Sequence, residues 1–270
     1  MKAIKLDIYQ AQAHFREPKI LNANLITTLP LPGPTTIVGM LTQLNGKRFN
    51  EIIDIGVLGK FESVRTDFQR IEKSEWVERY LKELSNQSKK TGDNAIPAIA
   101  YESLDEYKKR TPKFKGTSTF EILCEGLLTI FIKTKTDETR DQLYNSLKTP
   151  AYYSSLGRKE DYAEIKSVDV VDVEENVPIS QKEAIENGYI LKNTYVPVNL
   201  KAEDPYFKAL SAVGTLYVFP GVYSDISAPK QERKYSHRHY LHIGDNSFYL
   251  AGTFNRYQKT IFKWLVQAGD

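Results

Sequence analysis

One cysteine in 270 residues, Cys124, leaves no partner for an internal disulfide and no thiolate set for a multi-cysteine zinc site, as suits a reducing compartment. Cys124 lies in the apolar run ILCEGLLTIFI, where a buried structural thiol is expected rather than a nucleophile. Long hydrophobic runs are missing too, the longest falling well short of the roughly 20 residues that cross a bilayer. The first residues carry Lys2, Lys5 and Asp7 in place of a secretory apolar core, so a cytoplasmic protein without membrane association is expected. Nor is there an excess of one charge. The formal net charge is only +3, which excludes a uniformly basic coat and leaves local patches as the route to polyanion binding. Neither a Rossmann nor a P-loop glycine pattern occurs, which argues against phosphate-binding metabolic enzymes.

Aromatic residues, by contrast, are plentiful. The 17 Tyr and 12 Phe include side chains that pack cores and side chains that can stack on bases. With 41% hydrophobic and 26% charged residues, the 30.9 kDa chain can bury a sizeable core as one elaborated domain or two small ones.

Residues 2–9 alternate Ile4, Leu6 and Ile8 with polar neighbours and predict a strand. Residues 52–59 and 61–71 read as extended segments with a hairpin at Gly59-Lys60, and the spacing of Trp76, Val77, Tyr80, Leu81 and Leu84 predicts a helix from Ser74. Strands are expected at 118–134 and 164–173, with an acid-flanked helix at 137–148 between them. Setting 72–117 aside leaves strand, helix, strand, strand, helix, strand. This is the order of an α+β, ferredoxin-like (RRM-type) β-α-β-β-α-β unit. The expected organisation is therefore a ferredoxin-like domain over 1–175, an insertion at 72–117 and a β-rich C-terminal elaboration over 176–270, with turns at Pro220-Gly221 and Gly244-Asp245-Asn246.

Two loops carry candidate chemistry. In LPLPGPTTIVGML, residues 29–41, Pro30, Pro32 and Pro34 hold the chain extended until Pro34, which suits the first position of a helix. Ile37, Val38, Leu41 and Leu44 share one face, Gly39 permits close backbone approach, and Asn45-Gly46 is a stop signal. The first amides and the hydroxyls of Thr35 and Thr36 suit a phosphate at the positive dipole end, an ordinary capped helix being the plainer alternative. The second loop runs from Tyr152 to Tyr162, where Gly157 beside Arg158 and Lys159 lets backbone and guanidinium approach a phosphate together. Phe15, Tyr152 and Tyr153 offer rings that either stack on bases or pack the core.

Lys108, Lys109, Arg110, Lys113 and Lys115 form a basic run in the insertion, suited to nucleic acid or simply to solvent. The segment KQERKYSHRHYLH, residues 230–242, holds three of the four histidines, with His237 and His239 on one side of a strand. No neighbouring carboxylate or cysteine completes a ligand set, so no metal is expected, and a basic strand with Arg238 touching RNA or a partner subunit fits better.

His14-Phe15-Arg16 after the first strand, LPLPGPTTIVGML and LGRKEDYAEI together resemble the Cas-five family, the RAMP-fold subunit of type I CRISPR effector complexes (Cascade). The similarity spans most of the chain and is best in its N-terminal half. Lys159 stands where the family pattern suggests a smaller residue such as Ser. Type I-B is a candidate subtype. The resemblance implies an antiviral-defence protein without a cofactor, a non-catalytic RNA-binding subunit that holds the crRNA 5′ handle and caps the backbone filament. It implies crRNA, Cas-seven-family backbone subunits and a Cas-eight-family large subunit as partners, target DNA being reached only indirectly. A thumb-like insertion would lie against the first backbone subunit. Carried over by position, Phe15, Arg16, Pro34, Thr35, Thr36 and Gly39 fall in the first motif. Leu156, Gly157, Arg158, Glu160 and Asp161 fall in the second. Tyr153 and Lys159 complete the RNA-binding candidates.

Some members of the wider RAMP group cleave repeat RNA without a metal. An endoribonuclease with His14 as general acid or base, helped by Tyr152 or Lys159, is therefore the alternative. A stand-alone RNA-binding module is a third reading that the composition permits.

Overall fold

Alternation of apolar and polar residues sets the first strand, β1 (Lys2–Ala13), which buries Ile4, Leu6 and Ile8 on one face. This computed structural model describes residues 1–17, 25–47, 53–72, 115–200, 210–224, 234–245 and 249–265. After β1 come β2 (Leu25–Ile26), α1 (Pro34–Asn45), β3 (Asp54–Glu72), β4 (Lys115–Lys133), α2 (Asp137–Lys148) and β5 (Glu164–Asp172). The C-terminal part adds β6 (Glu174–Ile179), α3 (Gln181–Asn187), β7 (Thr194–Val198), β8 (Gly214–Ser224), β9 (Lys234–Ile243), β10 (Gly252–Tyr257) and β11 (Thr260–Phe262).

Among the described residues the chain forms a large, mainly antiparallel sheet with few helices. The strand order is β5-β1-β4-β3-β7-β9-β8, and a smaller sheet follows the order β11-β10-β6. Thus β7, β8 and β9 extend the first sheet beyond β3, while β10 and β11 build the second sheet with β6. By contact density the chain divides into two units, one comprising residues 1–20, 27–65 and 121–270, the other 21–26 and 66–120. In the second unit, β2 runs parallel to the start of β4 through Leu25↔Thr119 and Ile26↔Phe120.

Both long helices of the first unit start and stop on local signals. Pro34 occupies the first turn of α1 after Gly33, and Gly46 closes it at φ 73°, in the left-handed region that glycine adopts without strain. Thr136 caps α2 by accepting from Thr139 N at 3.2 Å, with Asp137 and Glu138 at the positive end and Lys148 at the negative end. Ile37, Leu41 and Leu44 of α1 and Leu143 and Leu147 of α2 join Ile4, Leu6 and Ile8 in the main core. Each such fully buried side chain contributes about 1.5–3 kcal/mol relative to exposure. Asn45 ties the helices together, its Oδ1 accepting from Gln142 Nε2 at 2.9 Å and Ser146 Oγ at 3.1 Å. On another side of the unit, Phe131 stacks on Phe262 at 4.4 Å, with Trp264 edge-on to Phe262.

Two expectations from the sequence fail for steric reasons. Gly59-Lys60 is no hairpin, because β3 continues through it, and a Cβ at Gly59 would come within 2.5 Å of Leu127 O and Leu128 Cδ2. Glycine there admits a close cross-strand approach. Pro220-Gly221 is likewise no turn but a bulge inside β8, where a Cβ on Gly221 would lie 2.6 Å from the Tyr240 hydroxyl. Cys124 is half-buried in β4. The helix expected from Ser74 lies outside the described residues, as do Lys108, Lys109, Arg110 and Lys113, while Lys115 opens β4. No described helix is long and apolar enough to cross a membrane.

Candidate nucleic-acid interface

As the chain leaves β1, the segment from His14 to Arg16 is held against the strand-like stretch that precedes α1. Phe15 N donates to Thr28 Oγ1 at 2.9 Å, Leu29 N donates to Phe15 O at 2.7 Å, and Arg16 bridges Thr28. This places Phe15 in the core, 2% exposed and edge-on to Phe61 at 6.0 Å, so its ring offers no face to a base. Arg16 next to it is exposed.

The loop from Ser154 to Ala163 doubles back on itself. Ser155 and Tyr162 form a bridge, Leu156 N donates to Asp161 O at 3.0 Å, and Ala163 N donates to Ser154 O at 3.0 Å. At the tip, Gly157 has φ 112°, and a Cβ there would meet His14 O at 2.9 Å and Asp161 Oδ2 at 3.0 Å. Only glycine fits such a backbone in such a space. The two motifs therefore touch at this point, and Asp161 joins them. Its buried carboxylate accepts from His14 N at 3.0 Å, from Arg158 N at 2.9 Å and from the Arg158 guanidinium. Gln10, buried in β1, donates to Leu156 O at 2.9 Å from below.

His14 is 3% exposed, with Nδ1 2.7 Å from the carbonyl oxygen of Glu121. Burial holds its pKa below the ordinary value. The Glu121 carbonyl pulls the other way, the Arg158 charge adds to the lowering, Asp161 opposes it, and Arg16 lowers it further. Both guanidinium groups thus act on one imidazole, which is neutral at pH 7. A ring so buried presents almost no surface to a substrate.

Other candidates divide by position. Gly157, Lys159, Tyr152 and Tyr153 are exposed, while Arg158 is largely engaged by Asp161 and by Glu160 at 3.2 Å. Pro34 is buried, Thr35 and Thr36 are half-buried, and Gly39 is exposed with nothing within 4 Å of where its Cβ would lie. It is the C-terminal half of α1 that meets the second loop, Gln43 Nε2 donating to Tyr153 O at 2.9 Å. At the N-terminal end of α1, Gly33 packs beside Phe219 of β8. Arg238 is half-buried on β9, beside a groove of about 680 Å³ lined also by His237, His239 and Trp264. Among the described residues no group of three or more His, Cys, Asp or Glu could hold a metal.

Two residues of this region escape sequence reasoning. Asp161 stands in the motif by resemblance alone, although its i,i+3 spacing from Arg158, across the turn at Lys159-Glu160, signals a local ion pair. Tyr162 ends the second loop in the sequence but its ring is given no role there, because only the bridge to Ser155 brings it to Tyr153, 5.2 Å between centroids.

No curated protein matches the chain. Among solved structures, a chain titled "CRISPR RNA-guided surveillance complex" is 16% identical, covering 93% of this chain and 91% of its own, with a TM-score of 0.48. A CRISPR protein from Archaeoglobus fulgidus is 11% identical over 97% of this chain and 98% of its own, with a TM-score of 0.45. A chain of the type III-B Cmr-beta complex bound to cognate target RNA and AMPPnP is 14% identical over 90% and 84%, with a TM-score of 0.41. The family model described as CRISPR-associated protein (Cas_Cas5) matches residues 3–210, which include β1, both long helices and both motifs. On that match the chain belongs to the CRISPR-associated protein (Cas_Cas5) family.

Proposed function

We propose that the protein is a non-catalytic RNA-binding subunit of a type I CRISPR surveillance complex, which holds the crRNA 5′ handle and caps the backbone filament. Its partners on this reading are crRNA, Cas-seven-family backbone subunits and a Cas-eight-family large subunit, in the cytoplasm. Family membership supports the reading. The single observation that carries it is the junction at Asp161, where segments 147 residues apart in sequence are locked together beside the exposed Arg16, Gly157, Lys159 and Tyr153. Single-stranded RNA is held by phosphate contacts and by stacking on aromatic rings, and this junction supplies both kinds of group.

The strands β1, β3, β4 and β5 with α1 and α2 are read as a ferredoxin-like RAMP unit. Their sheet order, fourth-first-third-second, supports that reading. The thumb is read as the insertion over about 72–117, supported by the division that sets residues 66–120 apart as their own unit with 21–26. No catalytic residue is assigned, and target specificity comes from guide pairing.

The test is retention of 5′-labelled cognate repeat RNA over a salt series. The reading expects binding that weakens linearly on a logarithmic plot, as phosphate neutralisation requires. Absence of binding at low salt would overturn it.

A further inference from the structure

A groove of about 470 Å³ lies between the end of α2, the loop that follows it and β5, and its lining is unusual for a surface. Tyr152, Tyr153 and Tyr162 line it at 58%, 55% and 50% exposure, and the Tyr153 and Tyr162 rings form a pair tilted by 37°. Large aromatic surface left in water costs free energy unless something covers it. Ser154 also lines the groove and is 6% exposed, and its buried Oγ has no hydrogen-bond partner. A buried hydroxyl without a partner is disfavoured by about 1–3 kcal/mol, which a ligand able to hydrogen-bond would relieve. Lys148 and Lys166 line the groove as well, and the one acid there, Glu164, is paired with Lys166 at 2.7 Å.

We propose that this groove binds one unpaired nucleobase of single-stranded RNA, stacked on the Tyr153–Tyr162 pair with its edge hydrogen-bonded to Ser154 and its phosphate beside Lys148. The inference rests on the reading of the protein as RNA-binding and adds a base subsite to it. Three rings, a polar edge partner and a cation are what a base with its phosphate requires, whereas an apolar peptide would leave the Ser154 hydroxyl unsatisfied.

The test uses the full chain and its cognate repeat RNA carrying 2-aminopurine at successive positions near the 5′ end. Stacking on tyrosine quenches the fluorescence of that base, so one position should be quenched on binding. Tyr153→Ala with Tyr162→Ala should abolish the quench and weaken binding about five- to 150-fold, one stacked base's worth. The corresponding double Phe variant keeps the rings and should behave as wild type, which separates stacking from misfolding. Ser154→Ala should weaken binding less and leave the quench. Arg16→Ala should weaken binding while the bound RNA stays quenched. RNA that binds the wild type without any quench, or that binds the double Ala variant equally well, would overturn the subsite and leave the RNA-binding reading intact. Failure of the wild type to bind RNA at all would overturn that reading together with the subsite.

Discussion

The Arg158 guanidinium grips the Asp161 carboxylate at two points, Nε to Oδ2 at 3.1 Å and Nη2 to Oδ1 at 2.8 Å, and the carboxylate is fully buried. Two-point pairing is the strong geometry for this pair of groups, and two backbone amides add to it. Removing the carboxylate leaves the His14 and Arg158 amides without their acceptor and strips the Arg158 guanidinium of its two-point partner, with Glu160 still beside it. Asp161→Ala should therefore cost about 3–5 kcal/mol in chemical denaturation, and Arg158→Lys should recover only part of the wild-type stability because an ammonium cannot reproduce the fork. A loss below 1 kcal/mol in Asp161→Ala would show that the junction is not held this way.

Gly157→Ala tests the same junction from the backbone side. The positive φ and the clash with His14 O and Asp161 Oδ2 together predict a loss of about 1–3 kcal/mol. Substitution at Gly39, where an added Cβ would meet nothing within 4 Å, should leave the thermal midpoint within a degree or two of wild type or raise it, since alanine favours helix. Equal effects at the two glycines would contradict the account.

Arg16 and Arg158, which look alike in the sequence, should separate in experiment. Arg16 is exposed beside the junction, so Arg16→Ala is expected to lower RNA affinity and reduce the salt slope by about one while leaving the melting temperature unchanged. Arg158→Ala should lower the melting temperature as well, because it takes away the partner of a buried carboxylate. Matched stability losses in both variants would remove the distinction.

Acid should destabilise the fold through two histidines. Burial lowers the pKa of His242 from 6.5 to about 4, and that of His14 is lowered as well. In this window the unfolded chain binds protons that the folded chain refuses, so stability that is full above pH 6.5 declines as the pH falls toward 4. Melting temperatures measured between pH 7.5 and 4 should show this decline, and His242→Gln should make it shallower. An identical decline in the variant would assign the acid sensitivity to other groups.

Local signals make α1 and α2 legible in the sequence, whereas α3 goes unread. Pro34 and Gly46 bound α1, and the acids of the first turn with Lys148 bound α2, because capping and dipole effects act within one turn. The continuity of β3 through Gly59 and the bulge at Gly221 were not legible, since in both places glycine answers a neighbouring strand rather than a turn. The same holds for the site. Leu156 to Asp161 could be read as an anion loop, but only the fold shows that Asp161 reaches back 147 residues to His14. Phe15 reads as a stacking ring beside Arg16, and the fold places it in the core against Phe61.

The most direct measurement incubates the purified protein with end-labelled cognate repeat RNA in EDTA and resolves binding and cleavage on parallel gels. The account predicts intact RNA retained in a salt-sensitive complex that Arg16→Ala weakens. A discrete cut abolished by His14→Ala, or no retention at low salt, would contradict it.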